Sequence, residues 1–283
     1  MTLIYVRSSV KGEVVPVIRS PLRAKYYLRS MKLFYRQSGQ GEPLIILHGL
    51  FGSSDNWYTL AKTFAEQFTV YLIDQRNHGQ SPHSEEFDYK LLAEDLLEFI
   101  NEHNLKAVTI IGHSMGGKTA MNFAVKYPER VKKLVVVDIV PKAYPVHHDN
   151  ILEGLLSLDL PNVSSRTEAD ELLSKHVTEL DERQFLLKNL YRTSDGGFGW
   201  RPNLKSIDKH IEEIGEGMQF DGQYDGPTLF IVGARSKYFK SGDEKLIEKI
   251  FPAFTLVTLD SGHWVQAEKP KEFAETVIPF LEK

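Results

Sequence analysis

The 283-residue chain contains no cysteine. That excludes disulfides, thiolate zinc sites and a cysteine nucleophile, so any covalent catalysis must use another side chain. It also fits a reducing compartment, and a cytoplasmic location is the expectation. Excess positive charge is lacking too: 34 Lys and Arg against 38 Asp and Glu leave a formal net charge of −4, which offers nucleic acid no basic field to bind. No apolar run approaches the roughly 18 residues of a membrane span; the longest strong ones lie near 43 to 48 and 134 to 140. Internal repeats and low-complexity segments are absent as well. With 42% hydrophobic and 25% charged residues, the composition is that of a soluble globular protein.

Acidic residues are scarce in the first 30 positions, where Glu13 stands against Arg7, Lys11, Arg19, Arg23, Lys25 and Arg29. An organelle-targeting presequence is one reading. Pro16 and Pro21 interrupt the amphipathic helix it would need, which favours a basic, disordered extension ahead of Met31.

From residue 31 the pattern is regular. Met31 to Gln37 alternates like a strand, and Leu44-Ile45-Ile46-Leu47, Thr69 to Ile73, Ala107 to Ile111 and Leu134 to Val137 are short apolar runs of the kind buried on both faces of a parallel sheet. Helical stretches separate them, one capped by Asp88 and carrying Tyr89, Leu92, Leu96, Phe99 and Ile100 along one stripe. The strand pattern stops after Pro141 and resumes at Thr228 to Val232 and Phe254 to Leu259, with Ser241 and Glu244 spaced as a capping box. Between lie four helical stretches and a small hairpin around Gly197 to Pro202. The expectation is an α/β fold, a mostly parallel sheet covered by helices on both faces, with its core in 31–140 and 227–283 and a helical cap in 141–226 over the strand ends.

Two sequence rules meet at Gly112-His113-Ser114-Met115-Gly116-Gly117-Lys118-Thr119. As G-x-S-x-G it is a nucleophile elbow presenting Ser114; as G-x-x-x-x-G-K-[ST] it is a phosphate-binding loop in which Lys118 meets phosphates and Thr119 a metal. Both require a strand, a tight turn and a helix. The rest of the chain separates them. Elbow chemistry needs a base, an acid that orients it, and backbone donors for an oxyanion. His263, in Gly262-His263-Trp264 after the last strand, supplies the base in the expected chain order. Met115 N–H and, from His48-Gly49-Leu50-Phe51-Gly52, Leu50 N–H are the candidate oxyanion donors. For the acid, Gly233-Ala234-Arg235-Ser236 puts serine where an aspartate is expected; Asp138, ending the strand at 134 to 137, and Asp243 are the alternatives. The phosphate-loop reading leaves His48-Gly49 and Gly262-His263-Trp264 without a role. Phe51, Phe185, Leu186 and Trp264 are candidates for an acyl pocket, as are Leu152, Leu155 and Phe198, although helix packing accounts for cap residues equally well. His48 and His113 suit structural hydrogen bonding, and Arg76, Asn77, His78 and Ser81 the ordering of the loop after Ile73. Adjacent His147 and His148 face apart on most backbones, so no metal centre is expected, and the chemistry requires no cofactor.

From Met31 onward the chain resembles the α/β-hydrolase superfamily, and within it the small bacterial acyl-ester hydrolases of the YbfF type and their mitochondrial abhydrolase relatives. The matching words are His48-Gly-Leu-Phe-Gly-Ser53, Asp74-Gln-Arg-Asn-His-Gly79 with Ser81, Gly112-His-Ser-Met-Gly-Gly-Lys118, Val137-Asp-Ile139 with Pro141, Gln184-Phe-Leu-Leu-Lys188 and Gly262-His-Trp-Val-Gln-Ala-Glu-Lys-Pro270. The resemblance carries the acid onto Asp138 and makes Ser236 a shared departure. It implies a serine hydrolase acting on small-molecule acyl esters or thioesters, acyl-CoA among them. A non-hydrolytic receptor or lyase on the same scaffold is the alternative.

Overall fold

The computed structural model describes residues 4–7, 14–17, 31–145 and 149–283. In the N-terminal unit, β1 (Ile4–Arg7) and β2 (Val14–Val17) pair antiparallel, Ile4 opposite Val17. The rest of the basic extension, and His147 and His148, lie outside the described residues.

The second unit, Leu33–Lys283, is built on seven strands. They are β3 (Tyr35–Ser38), β4 (Glu42–Leu47), β5 (Phe68–Ile73), β6 (Val108–His113), β7 (Val131–Val137), β10 (Thr228–Gly233) and β11 (Phe254–Leu259), in the spatial order β11-β10-β7-β6-β4-β5-β3. Only β3 runs antiparallel to its neighbour. The helices on this sheet are α1 (Tyr58–Phe64), α2 (Tyr89–Glu102) and α3 (Met115–Lys126), and, after β10, α9 (Glu244–Ile250), α10 (Val265–Glu268) and α11 (Pro270–Glu282). Among the described residues, the segment between β7 and β10 adds no strand to this sheet. It holds α4 (Asp149–Ser157), α5 (Arg166–Leu173), α6 (Leu180–Leu187), a hairpin of β8 (Leu190–Arg192) and β9 (Phe198–Trp200), then α7 (Leu204–Lys209) and α8 (Ile211–Gly215). Among the described residues no helix is long and apolar enough to cross a membrane.

Why β4 is apolar throughout follows from its two covered faces. Leu44 and Ile46 pack with Trp57, Phe64, Phe273 and Val277; Ile45 and Leu47 point the other way, into Leu96, Phe99, Met121 and Phe123. Successive side chains of a strand alternate sides, so a strand covered on both needs no polar position. Asp88 caps α2 as its position suggests, accepting from Leu91 N–H at 2.7 Å. The capping box expected at Ser241 does not form. The chain turns at Gly242 with φ 99° and the helix starts only at Glu244, whose carboxylate instead accepts from Gly242 N–H at 2.7 Å.

Register brings the strand ends level. Leu47 lies opposite Gly112, His113 opposite Val137, Val137 opposite Ile231, and Gly233 opposite Leu259. The residues that follow β4, β6, β7, β10 and β11 therefore emerge along one edge. After β4 the chain goes to one side to make β5 and then crosses to the other to make β6, so the crevice of an open parallel sheet opens where β4 and β6 end.

The loops there are held by buried histidines. His48 donates from Nδ1 to Gly49 O at 2.8 Å and accepts Gln75 N–H on Nε2 at 3.0 Å, while Gln75 Nε2 donates to His48 O at 2.7 Å. His78 donates from Nδ1 to Arg76 O at 2.9 Å and accepts Phe51 N–H on Nε2 at 3.2 Å. Each ring is thus a donor on one nitrogen and an acceptor on the other, which only neutral imidazole can be. Arg76 forms a buried fork with Asp95 at 2.5 and 2.6 Å, and the Asp74 carboxylate accepts Ser54 N–H at 2.6 Å and Gln80 N–H at 2.8 Å. The loop-ordering role expected for His48, Arg76 and His78 is what these bonds perform.

Burial pulls the His48 pKa down to about 4 and, with His48 adding repulsion, that of His78 to about 3. An unfolded histidine titrates near 6.5, so between that pH and the folded values the unfolded chain binds more protons than the native one, and stability falls with acidification. The expected loss between pH 6.5 and pH 4.5 is about 2 kcal/mol per ring. Urea unfolding across that interval should show it, with a shallower slope in His78→Asn.

Candidate functional site

Ser114 joins β6 to α3 with φ 52° and ψ −117°. This is a left-handed φ that a residue with a side chain adopts only when its surroundings enforce it. The enforcement is close packing of backbone. A Cβ on Gly112 would stand 2.3 Å from Gly116 O, and one on Gly116 would stand 2.5 Å from Leu47 O. With only hydrogen at both positions, β6, the turn and α3 close against the end of β4, and Ser114 N–H reaches Val137 O at 3.0 Å.

Leu50 and Met115, the residues whose N–H groups the sequence offers as oxyanion donors, both line the cavity beside Ser114. Met115 is the first residue of α3, so its N–H lacks an intrahelical acceptor. In the loop after β4, Phe51 N–H goes to His78 and Gly52 N–H to Gly49 O at 2.9 Å, which turns both away and leaves Leu50 N–H. Leu50, Ser114 and Met115 together line a cavity of about 1020 Å³.

Asp138 follows β7 with φ 50° and is fully buried. Its N–H continues the sheet to Ile231 O at 2.8 Å, and its carboxylate collects three donors. Gly233 N–H meets Oδ1 at 2.8 Å, while the Ser236 hydroxyl and His263 Nδ1, the latter at 2.7 Å, meet Oδ2. A buried carboxylate satisfied this fully is stable where it stands. Asp243 is elsewhere: its carboxylate is taken by Lys142 and by Lys240 N–H at 2.8 Å. Between the two acids left open by the chain's own pattern, the one in contact with His263 is Asp138. Ser236, which occupies an expected aspartate position, is drawn in as a donor to that same carboxylate.

The bond to Asp138 leaves Nε2 as the acceptor nitrogen of neutral His263. The His263 ring stacks on Tyr238, centroids 4.1 Å apart with 24° between planes, and its carbonyl accepts His113 Nε2–H at 2.9 Å. Burial, aided by repulsion from His263, holds His113 well below the ordinary histidine range, so His113 is a neutral strut. Ser114 Oγ makes no hydrogen bond among the described residues; in a site without substrate such bonds are commonly long.

The acyl-pocket candidates fare differently. None of Phe51, Phe185, Leu186 and Trp264 lines the cavity. Phe51 and Leu186 are buried in the apolar cluster that joins the β7–β10 segment to the starts of α2 and α3 and the loop after β4, and Phe185 packs on Trp264 with ring centroids 5.4 Å apart. Leu50, Tyr89, Tyr144, Ile151 and Ile214 supply the apolar wall instead. Leu152, Leu155 and Phe198 are likewise core. Sequence reading missed Tyr144, whose hydroxyl accepts Val140 N–H at 2.9 Å and donates to Tyr238 O at 2.8 Å. Lys118, which sequence reading weighed only as a phosphate ligand, is buried and donates to Gly215 O at 3.0 Å and to Glu216 O. That engagement spends two of the three ammonium protons of Lys118, and Thr119 Oγ1, which a phosphate loop would turn to a metal, is occupied with Gln75 Oε1 at 2.9 Å. Among the described residues no cluster of His, Asp and Glu could hold a metal.

Comparison with known proteins agrees with this architecture. Residues 42–270 match the family model described as the alpha/beta hydrolase fold. A zebrafish (Danio rerio) protein named sn-1-specific diacylglycerol lipase ABHD11 is 40% identical over 253 residues, covering 86% of this chain and 80% of its own. Esterase YbfF of Escherichia coli is 34% identical over 258 residues, covering 89% and 99%. Among solved structures, one titled marine microorganism esterase is 46% identical with a TM-score of 0.87, covering 89% of this chain and all of its own. A family model spanning most of the sequence, over a sheet and an elbow of this form, means that the chain belongs to the α/β-hydrolase fold family.

Proposed function

We propose that this protein is a serine hydrolase of carboxylic esters or acyl thioesters, with Ser114 as nucleophile, His263 as base and Asp138 as the acid that orients it. The observation that carries the reading is the convergence of separate chain segments on one sheet edge. An elbow serine after β6 and a histidine after β11, the latter bonded at 2.7 Å through Nδ1 to the buried carboxylate that follows β7, lie along the sheet edge where β4 also ends, and this supports the reading. The relatives named as esterase and lipase support ester hydrolysis.

In this mechanism His263 Nε2 takes the Ser114 proton as Oγ attacks the acyl carbonyl, and Leu50 and Met115 N–H groups receive the negative charge that develops on its oxygen. The imidazolium returns the proton to the departing alcohol or thiol. Water then attacks the acyl-enzyme by the same route, releasing the acid and free Ser114. Asp138 holds the ring with Nε2 toward the substrate and stabilises it when charged. The three donors on Asp138 keep that carboxylate from rotating.

Two measurements test this. Ser114→Ala should bring hydrolysis of p-nitrophenyl esters to background while the thermal transition stays in place; wild-type turnover in the variant would refute the assignment. Labelling of wild type by a fluorophosphonate with no turnover of any ester or acyl-CoA would point instead to a receptor or lyase. For the acid, Asp138→Asn should lower kcat by about 10³-fold or more, through loss of the correct histidine tautomer, whereas Asp243→Asn should stay within about 3-fold of wild type, as expected of a residue outside the constellation. The reverse ranking would transfer the role to Asp243.

A further inference from the structure

The hydrolase mechanism leaves a buried lysine of the cavity without a task. Lys118 is 3% exposed and lines the cavity with Ser114. Its ammonium donates to the carbonyls of Gly215 and Glu216 at the end of α8 and lies over the rings of Tyr89 and Tyr144, 5.4 and 5.0 Å from their centroids. Carbonyls and aromatic faces solvate a cation in part, but they are not a counter-ion. No carboxylate forms a salt bridge with Lys118 among the described residues. Lys142, on the same cavity wall, differs in having Asp243. Burial draws the Lys118 pKa down to about 7 against the pull of Glu216, as expected for a buried cation short of negative charge.

Position adds to this. Lys118 N–H bonds to Ser114 O at 3.0 Å, so the two residues are one helical turn apart, about 6 Å along α3. Helical side chains lean toward the N-terminus of their helix, which here is the elbow. An ammonium has three protons, and two are spent on carbonyls. The third can take one acceptor oxygen.

We propose that Lys118 receives an anionic group of the substrate, a carboxylate carried within a few bonds of the scissile carbonyl. This deepens the hydrolase reading and rests on it. The bound carboxylate supplies the missing counter-ion, and a single free donor suits one carboxylate oxygen better than a phosphate dianion. Lys237 and Lys240, exposed along the same cavity, add charge of the same sign, against one lining carboxylate among the described residues, Glu182. Burial, with Glu179 close by, raises the pKa of Glu182 and so weakens its opposition.

The test pairs monoethyl glutarate with ethyl valerate, which differ in a carboxylate for a methyl group, followed in a pH-stat with wild type, Lys118→Met and Ser114→Ala. Wild type should hydrolyse the half-ester with a kcat/KM at least equal to that for the neutral ester. In Lys118→Met the ratio of the two kcat/KM values should shift toward the neutral ester by about 10-fold or more, the usual weight of a charge-assisted bond. A purely structural lysine would lower both substrates alike, and that result overturns the proposal. So does a wild-type preference for ethyl valerate of more than about 10-fold, the same weight in reverse, and this arm decides the matter even if Lys118→Met does not fold. Hydrolysis of neither ester by wild type would instead remove the hydrolase reading beneath it.

Discussion

Backbone contact at the mouth of the sheet sets the terms for everything else in this molecule. Gly116 lies so close to the end of β4 that a methyl group there would stand 2.5 Å from Leu47 O. That approach puts the first turn of α3 against the loop that starts at His48. It brings Leu50 and Met115 to the same cavity and holds Ser114 in a conformation the residue would not choose by itself. Buried neutral histidines and the Arg76–Asp95 pair then keep the neighbouring loops from relaxing away. The strain is local, and the surrounding hydrogen bonds hold it in place.

A second constraint is register. Because the parallel strands end level, residues separated by up to 150 positions in sequence, such as His113 and His263, become hydrogen-bonding neighbours. Asp138 benefits most. Its own N–H stays in the sheet, while its carboxylate meets donors from the last residue of β10 and from the loop after β11. A serine replaces the expected aspartate after β10, and the carboxylate is supplied from one strand over.

What could be read without coordinates divides along the same line. Strand runs such as Leu44 to Leu47 and the elbow glycines were legible because local rules govern them: two covered faces allow only apolar residues, and close backbone approach allows only glycine. The loop roles of His48 and His78 were legible for a similar reason. The wall of the cavity was not. Tyr144, Lys118, Ile214 and Tyr238 come from four segments whose meeting depends on tertiary packing, and no periodicity announces it. Phe51, Phe185 and Leu186 carried the right hydrophobicity for a pocket and were used for core. The capping box at Ser241 failed because Gly242 takes a left-handed turn where a helix would have to begin. In the chain's own pattern Asp138 and Asp243 were both open; three-dimensional contact with His263 separates them.

The strands on either side of the β7–β10 segment are sheet neighbours, Leu134 lying opposite Thr228. The excursion between them leaves after Val137 and re-enters at Thr228, three residues back along the strands, so its ends lie roughly 10 Å apart. For such a loop the entropic penalty of closure grows only logarithmically, by about 0.6 kcal/mol for each doubling of length. Lengthening, shortening or exchanging this segment thus alters the stability of the sheet very little through chain closure, while it rebuilds much of the cavity wall. The part of the protein that recognises a substrate can in this way diverge faster than the part that cleaves it.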